Sequence, residues 1–210
     1  MSYIDLTHPL TTSMPTYPNA DELSPQLVQM ASVDKNDYSA WRLTMDMHVG
    51  THIDAPAHMI AGGKKLSDFS VDHFCGNALL IDVRDREVVS EHELIRYDIE
   101  PGMILLFYTG FDQYFYTDAE RYFKQHPVLS EGAAQWIINK QVKMIGFDMP
   151  SPDRFPFAIH RQLFANNMLI IENLTNLDKL LNSMSIEVYA LPISCAVDGA
   201  PARVIAKIKR

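Results

Sequence analysis

The sequence predicts an α/β fold with a mixed β-sheet and short flanking helices. Strand-like apolar runs outnumber helical patterns along the chain. In the middle of the chain, strands alternate with short helical patterns, which favours parallel pairing through crossover connections. Near the start, strand-like runs follow one another without a helix, which favours antiparallel pairing, so we expect both kinds of pairing in one sheet.

The predicted strands are short runs rich in β-branched, aromatic and other apolar residues. In order, they cover residues 3–8, 41–54, 77–83, 103–109, 142–148, 168–174, 185–193 and 202–208. Helical spacing of apolar residues predicts helices within residues 89–97, 118–126, 130–141, 159–167 and 174–182. The third of these begins with Ser130, a natural N-cap placed just before an acidic first turn.

Length and composition predict one ordinary globular domain over residues 1–210. The chain is 47% hydrophobic and 21% charged, and it contains no internal repeat and no Gly/Ser-rich linker. Its two cysteines, Cys75 and Cys195, lie far apart without CxxC spacing. We therefore expect neither a disulfide framework nor a thiolate metal site.

Charge and hydropathy limit the expected partners. Lys and Arg number 18 against 26 Asp and Glu, and no run of basic residues is present, so nucleic acid is not an expected partner. Apolar stretches such as MILLFY are too short to span a bilayer, and the start lacks a basic segment followed by an apolar one. We expect a cytoplasmic protein with no membrane partner.

The segment HVGTHIDAPAH, residues 48–58, carries the clearest functional signal. Reading from residue 43, side chains alternate between an apolar face and a face that presents His48, His52 and Asp54. Burying so many polar groups without a partner would cost several kcal/mol, which favours a bound metal ion. Imidazole and carboxylate ligands suit zinc, manganese or ferrous iron better than calcium or magnesium.

Gly50 and Pro56 explain how these ligands can meet. On a straight strand with a rise of about 3.3 Å per residue, residues 48 and 54 would lie roughly 20 Å apart, too far to share one ion. Gly50 permits a bulge or bend, and Pro56 prevents the strand from continuing inside a sheet. We therefore predict that the strand over residues 41–54 curls until the ligands converge.

The same segment resembles the HxGTHxDxPxH signature of the cyclase family of metal-dependent hydrolases, which includes kynurenine formamidase and isatin hydrolase. Further similar segments are DLTHPLTTSMPTYPN at the start, IGFDMPSPD in mid-chain, then LIIENLTNL and DGAPARVIA, so the resemblance covers most of the chain. It implies a swivelling β/β/α-type fold and a homodimer or homotetramer. It also implies hydrolysis of the C–N bond of a small aryl-formamide or cyclic amide.

The resemblance further implies roles for individual residues and one or two Zn²⁺ or Mn²⁺ ions per subunit. The matching first-ion ligands are His48, His52 and Asp54, the second-ion ligands are His160 and Glu172 with Asp54 shared, and His58 matches the catalytic acid/base. Glu172 follows four apolar residues, where a buried carboxylate needs a cation, a donor or a proton. On the sequence alone, an outward-facing position just past a strand is the alternative, and the resemblance favours the ligand. An ion with open positions lowers the pKa of bound water to about 7, and His58 can carry the proton to the leaving nitrogen.

The substrate pocket is expected to be aromatic, with Tyr17, Phe111 and Phe155 as lining residues. Kynurenine formamidases resemble one another in carrying a Trp near the YPN segment, where this chain has Tyr17 and Pro18. They also commonly read Arg/Lys-Thr-Gly-Trp where this chain reads Tyr108-Thr-Gly-Phe111. These departures argue against N-formylkynurenine as the substrate.

A second hypothesis is a non-catalytic protein that keeps the fold and binds a metal ion or small ligand. The two hypotheses differ at His58, which a closed structural metal site would not require. Of the remaining residues, we expect Trp41 in the core and His126 at the surface. His8, in the DLTHPL opening, is expected either near the site or as a loop anchor beside Pro9.

Overall fold

A mixed β-sheet that closes on itself forms the centre of the protein. The computed structural model describes residues 2–17 and 24–210. The strands are β1 (Ser2–Asp5), β2 (Gln26–Ala31), β3 (Ala40–Thr44), β4 (His52–Asp54), β5 (Cys75–Asp82), β6 (Val88–Val89), β7 (Ile104–Tyr108), β8 (Val128–Leu129), β9 (Met144–Phe147), β10 (Leu169–Glu172), β11 (Ser185–Pro192) and β12 (Gly199–Lys209). The α-helices are α1 (Val33–Asn36), α2 (Glu91–Leu94), α3 (Ala119–Gln125), α4 (Glu131–Asn139) and α5 (Ala158–Phe164). Short 3₁₀ turns cover Pro56–His58, Leu66–Asp68, Val71–His73, Phe111–Tyr114 and Leu177–Leu180.

The sheet combines parallel and antiparallel pairs. Within residues 2–17 and 24–210, eight strands form it in the order β1, β12, β11, β5, β7, β9, β10, β4. The ring closes because β4 also pairs with the start of β12, through residues 199–201. β5, β7, β9 and β10 are parallel neighbours, and the other pairs are antiparallel. The predicted α/β fold with a mixed sheet and short helices is confirmed.

Three of the parallel strands, β7, β9 and β10, are buried on both faces, as β7 illustrates. Ile104 and Leu106 pack in a cluster with residues of β10, β11 and β12, whereas Leu105 and Phe107 pack in a second cluster with residues of α4 and α5. All four side chains are fully buried. Each such burial stabilises the fold by about 1.5–3 kcal/mol, which explains why these strands read as continuous apolar runs.

The predicted strand over residues 41–54 is wrong as one continuous element. β3 ends at Thr44 and pairs with β2 in a separate hairpin, while β4 begins at His52 and joins the main sheet between β10 and β12. The chain turns between them, and Gly50 adopts a φ of +70°, which L side chains rarely adopt. The predicted bend at Gly50 is therefore present, but it separates two strands instead of curling one.

The β2–β3 hairpin also corrects the expectation for Trp41. This side chain is 60% exposed instead of lying in the core, because β3 packs against β2 and not against the main sheet. The hairpin itself was not predicted as a pair, since β2 lacks a clear strand pattern in the sequence.

The helix predictions are confirmed with one exception. The Ser130 hydroxyl accepts a hydrogen bond from the Ala133 amide at 3.0 Å, as expected of the N-cap of α4. Residues 174–182 form only the 3₁₀ turn Leu177–Leu180, because Asn176 and Asn182 on either side adopt left-handed backbone angles. None of the described helices is long and apolar enough to cross a membrane.

Candidate active site

A cavity of about 490 Å³ is lined by residues from β4, from the end of β10 and from the turns around them. The pairing of β10 with β4 places Glu172 directly opposite His52. His48 comes from the turn before β4, His58 from the 3₁₀ turn after it, and His160 from α5. All five predicted metal ligands and the predicted acid/base thus line the same cavity.

Asp54 is the central carboxylate of the cluster. It is almost completely buried, and its Oδ1 lies 2.7 Å from His48 Nδ1 and 3.3 Å from His52 Nε2. Burial alone would raise the pKa of Asp54, but the charges and hydrogen bonds of His52 and His48 outweigh it and hold the pKa well below its usual range. Asp54 is therefore an ionised carboxylate that requires a positive partner.

His52 carries the observation that best fits a metal ion. Its Nδ1 donates to the Gly50 carbonyl at 2.8 Å, which leaves Nε2 as the free ring nitrogen. Within the described parts of the chain, Nε2 is buried without a hydrogen-bond partner, and it lies 3.5 Å from Glu172 Oε2 as well as near Asp54. A lone pair directed at two carboxylates is repulsive unless a cation or a proton lies between them, so the residues present fit a metal ion.

Two neutral, buried side chains fix the orientation of the His52 ring. The Tyr122 hydroxyl donates to Asn173 Oδ1 at 2.9 Å, and Asn173 Nδ2 donates to the Gly50 carbonyl, also at 2.9 Å. That carbonyl is the one that receives the Nδ1 proton of His52. Tyr122 and Asn173 are both buried, so they fix the position of the Gly50 carbonyl and, through it, the orientation of the His52 ring.

His160 is held by a carboxylate that the sequence did not identify. Its Nδ1 lies 2.5 Å from Asp153 Oδ1, and its Nε2 lies 3.2 Å from Glu172 Oε1. Asp153 Oδ2 also accepts from the Ile159 and His160 amides at the start of α5. Burial alone would lower the pKa of His160, but hydrogen bonds with Asp153 and Glu172 outweigh it and raise the pKa to about 10.

His58 lies at the more exposed side of the cluster. Its ring stacks on His48 with centroids 4.0 Å apart, and its Nδ1 lies 3.2 Å from Asp198 Oδ2. The same Asp198 oxygen is 3.1 Å from His48 Nε2, so one carboxylate contacts both rings. Asp198 was not predicted as a site residue, although it begins the segment DGAPARVIA that resembles the family. Its contact with the histidines follows from the pairing of β12 with β4.

In the part of the chain that the structure describes, two groups of side chains have ligand atoms close enough to hold an ion. One is His48, Asp54 and His58, and the other is His52, Asp54 and Glu172; in each group the ligand atoms lie within 4.8 Å of one another. The predicted first-ion set instead joins His52 to His48 and Asp54. The structure thus brings the predicted residues together, while their division between two ions and the separate role of His58 stay predictions.

The walls of the cavity are aromatic, as expected, although not through all the predicted residues. Tyr17 and Phe155 line it and are largely exposed. Phe111 is not among the described residues that line this cavity; it packs against Tyr114 and Tyr122 and borders a neighbouring groove. Pro18, the other residue compared with the Trp of kynurenine formamidases, lies outside the described residues. Further lining residues that the sequence did not single out are Met59, Phe115, Phe123, Lys124, His126, Arg154 and Phe157.

The surface position expected for His126 is wrong. The side chain is buried, it lines the cavity, and its Nδ1 donates to the Pro127 carbonyl at 2.8 Å. Burial lowers the pKa of His126 to about 4. His8 is likewise buried, stacked on Phe115 with ring centroids 4.0 Å apart, and burial lowers its pKa to about 4.

Comparison with known proteins identifies the class to which this fold and site belong. A family model described as "Putative cyclase" matches residues 4–154, which is more than half of the chain. The chain therefore belongs to the cyclase family, as its sequence motifs predict.

Similar proteins extend over nearly the whole chain. Kynurenine formamidase of Bacillus cereus is 32% identical over 207 residues, which cover 97% of this chain and 96% of that protein. A solved structure described as a potential metal-dependent hydrolase with cyclase activity is 27% identical, with a TM-score of 0.80, and covers 98% of this chain and 96% of its own. Isatin hydrolase A from Ralstonia solanacearum, at 22% identity, covers 98% of this chain and 91% of its own with a TM-score of 0.87, which shows the shared fold.

Proposed function

We propose that this protein is a metal-dependent hydrolase that cleaves the C–N amide bond of a small aryl-formamide or cyclic amide. The proposal rests on the convergence of three histidines with Asp54 and Glu172 in a cavity large enough for a small aromatic substrate. The reaction class predicted from the sequence is confirmed by the family match and by the relatives named kynurenine formamidase. The second hypothesis, a non-catalytic binding protein, is not favoured by them.

A metal cofactor is supported by the buried, unpartnered Nε2 of His52 and by the similarity to a potential metal-dependent hydrolase. Zinc or manganese, as one or two ions per subunit, fits a ligand set of imidazole and carboxylate without thiolate. His48, His52 and Asp54 would hold the first ion, and His160 and Glu172 would hold a second with Asp54 shared. When bound, the ion polarises the amide carbonyl and lowers the pKa of a coordinated water.

The proton transfer is assigned to His58. Its ring is partly exposed and stacks on His48, so it lies beside the metal ligands without being enclosed by them. Asp198 can accept the Nδ1 proton of His58, which leaves Nε2 to take a proton from water and return it to the leaving nitrogen. Because His58 also lies close enough to His48 and Asp54 to serve as a ligand, metal content and turnover must be measured separately in a His58 variant.

The substrate is proposed to be flat and aromatic, because the cavity walls beyond the ligands carry Tyr17, Phe123, Phe155 and Phe157. The relatives named kynurenine formamidase make N-formylkynurenine one compound to test. The absence of Trp from the opening segment argues that a different aryl-formamide or a cyclic amide is the preferred substrate.

We also propose that the protein forms a homodimer or homotetramer through the β2–β3 hairpin. Both strands of this hairpin expose large apolar side chains, namely Leu27, Val28, Met30, Trp41 and Leu43. A surface of this kind on a hairpin outside the main sheet fits a contact with a second copy. Light scattering of Trp41→Lys should show a smaller assembly than the wild type, whereas Val71→Lys, at another exposed apolar residue, should not; unchanged mass for Trp41→Lys would contradict the proposal.

The deciding experiment combines elemental analysis of the purified protein with a panel of aryl-formamides, isatin, lactams and N-formylkynurenine. We expect one or two zinc or manganese ions per chain and hydrolysis of at least one amide. His58→Ala should keep its metal and lose about 10²–10⁴ in turnover, whereas His92→Ala, at an exposed histidine of α2, should match the wild type. Metal-free native protein, or a metal-loaded protein that hydrolyses none of the panel, would contradict the proposal. The cytoplasmic location stays a prediction.

A further inference from the structure

Charge is distributed unevenly around the active-site cavity. Among the described residues, the carboxylates that line it, Asp54, Asp153 and Glu172, are all buried and contact the histidines of the candidate metal site. The Lys and Arg side chains that line it within the described ranges, Lys124 and Arg154, are exposed and therefore lie at its rim. The described lining thus has an acidic end, where the proposed cation would bind, and a basic rim, although the chain as a whole carries a net charge of −8.

Arg154 is held in place, and among the described residues most of its donors have no partner. Its guanidinium donates through Nη2 to the carbonyl of the buried His126, and its own carbonyl accepts from the Phe157 amide at 2.8 Å. A guanidinium has five N–H donors, so this contact leaves a face that can bind a carboxylate through two parallel hydrogen bonds. Across residues 2–17 and 24–210, the ion pairs include none to Arg154.

The other rim cation is less available. Lys124 Nζ lies 3.0 Å from Glu120 Oε1, one turn earlier on α3, so its charge is already paired. Arg154, in contrast, follows Asp153 directly in the loop before α5. The same short loop therefore supplies the carboxylate that orients His160 and the cation at the rim, which fixes the rim cation relative to the ligand cluster.

We propose that Arg154 determines specificity by binding a carboxylate on the substrate, at the end of the molecule away from the scissile amide. This inference rests on the proposed amide hydrolysis. The substrate class is then an aryl amide with an acidic substituent: the amide lies at the ligand cluster, the ring lies among the aromatic walls, and the carboxylate meets Arg154. A planar guanidinium suits this task because it matches a carboxylate in bidentate geometry.

The test compares two formamides that differ only in charge, 4-formamidobenzoate and its neutral isostere 4-formamidobenzamide. We expect the wild type to favour the carboxylate about five- to tenfold in kcat/KM, mostly through KM, because a partly exposed charge-assisted contact is of modest strength. Arg154→Gln should abolish this preference, so that its ratio of the two kcat/KM values falls to about one. Arg121→Gln removes an equal charge from α3 at a residue that does not line this cavity, and it should keep the preference.

The product analogues 4-aminobenzoate and 4-aminobenzamide supply a readout without chemistry. As competitive inhibitors of the wild type, the acid should bind more tightly than the amide, and Arg154→Gln should equalise them. Added salt should reduce the preference, since the rim is exposed to solvent.

The outcomes separate the two proposals. Hydrolysis of both formamides with equal efficiency by wild type and Arg154→Gln overturns the role of Arg154 and leaves the amide hydrolase intact. Failure of the metal-loaded wild type to hydrolyse either formamide or any other amide of the panel removes the proposed function, and the inference with it. An equal loss of preference in Arg121→Gln would show a general effect of charge and would also overturn the role of Arg154.

Discussion

Each carboxylate oxygen of Asp153 accepts from a different set of donors, and replacing Asp153 by asparagine exchanges one of these oxygens for an amide nitrogen. One oxygen faces His160 Nδ1 at 2.5 Å, and the other accepts from the Ile159 and His160 amides at 2.7 and 3.2 Å. If the new amide nitrogen faces the ring, His160 Nδ1 must become an acceptor and its proton moves to Nε2, the atom near Glu172. If it faces the helix, the first amides of α5 lose their acceptor.

Both orientations have a measurable cost. Loss of the partner that orients a ligating histidine typically lowers metal affinity 10–100-fold, or about 1.4–2.8 kcal/mol. Loss of the acceptor at the start of a helix costs about 0.5–2 kcal/mol of folding stability. Asp153 and His160 are both buried, so water cannot replace the lost contact, and we expect effects in the upper half of these ranges.

The assay is a titration of metal-free protein with Zn²⁺ or Mn²⁺ against a competing chelator, together with urea unfolding of the metal-free form. Asp118→Asn is the matched control, because Asp118 accepts from the Arg121 amide at 3.0 Å at the start of α3 and does not line the cavity. Its amide oxygen can still accept from the Arg121 amide, so it should keep both its metal affinity and most of its stability. Unchanged affinity in Asp153→Asn, or an equal fall in both variants, would refute the reasoning about His160.

Three further changes test other parts of the structure. In Gly199→Ala, the added Cβ would collide with the His48 ring, so metal affinity measured by chelator competition should fall at least tenfold; wild-type affinity would contradict this close approach. When the pH falls from 7 to 5, the free energy of unfolding in urea should decrease less in His8→Phe than in the wild type, and the difference should reach up to about 2 kcal/mol. Burial lowers the pKa of His8 to about 4, so the unfolded chain takes up a proton below about pH 6.5 while the folded chain does not. Equal pH dependence of the unfolding free energy in the variant and the wild type would contradict a neutral buried ring. Tyr122→Phe leaves Asn173 Oδ1 buried without its donor and should lower the free energy of unfolding by about 1–3 kcal/mol, measured by heat or urea. A variant as stable as the wild type would contradict this.

The grouping of four candidate site residues could be predicted from the sequence because their spacing is local. Eleven residues contain His48, His52, Asp54 and His58, and the alternation of apolar and polar positions predicts that polar side chains share one face. The bend at Gly50 followed from residue type alone. What the local pattern could not show is that the bend ends one strand and begins another in a different sheet, since that depends on which strands lie beside each segment.

The sequence analysis did not identify the residues that orient the candidate ligands, although Asp153, Asn173 and Asp198 lie in segments that resemble those of the family. Their contacts depend on how the chain folds, which the local pattern does not show. Asp198 reaches His48 and His58 only because the start of β12 pairs with β4. Asn173 contacts the Gly50 carbonyl across 123 positions of the chain. Burial likewise depends on tertiary packing, which is why His126 is buried although its sequence surroundings are those of a surface helix end.

The most direct test of a metal-dependent amide hydrolase is a stepwise return of metal to chelated protein, with bound metal and amide hydrolysis measured on the same samples. We predict that the metal-free protein is inactive and that hydrolysis of the best substrate in the panel rises in proportion to bound Zn²⁺ or Mn²⁺, reaching its maximum at one or two ions per chain. Full hydrolysis by the metal-free protein, or no dependence of hydrolysis on bound metal, would contradict this account.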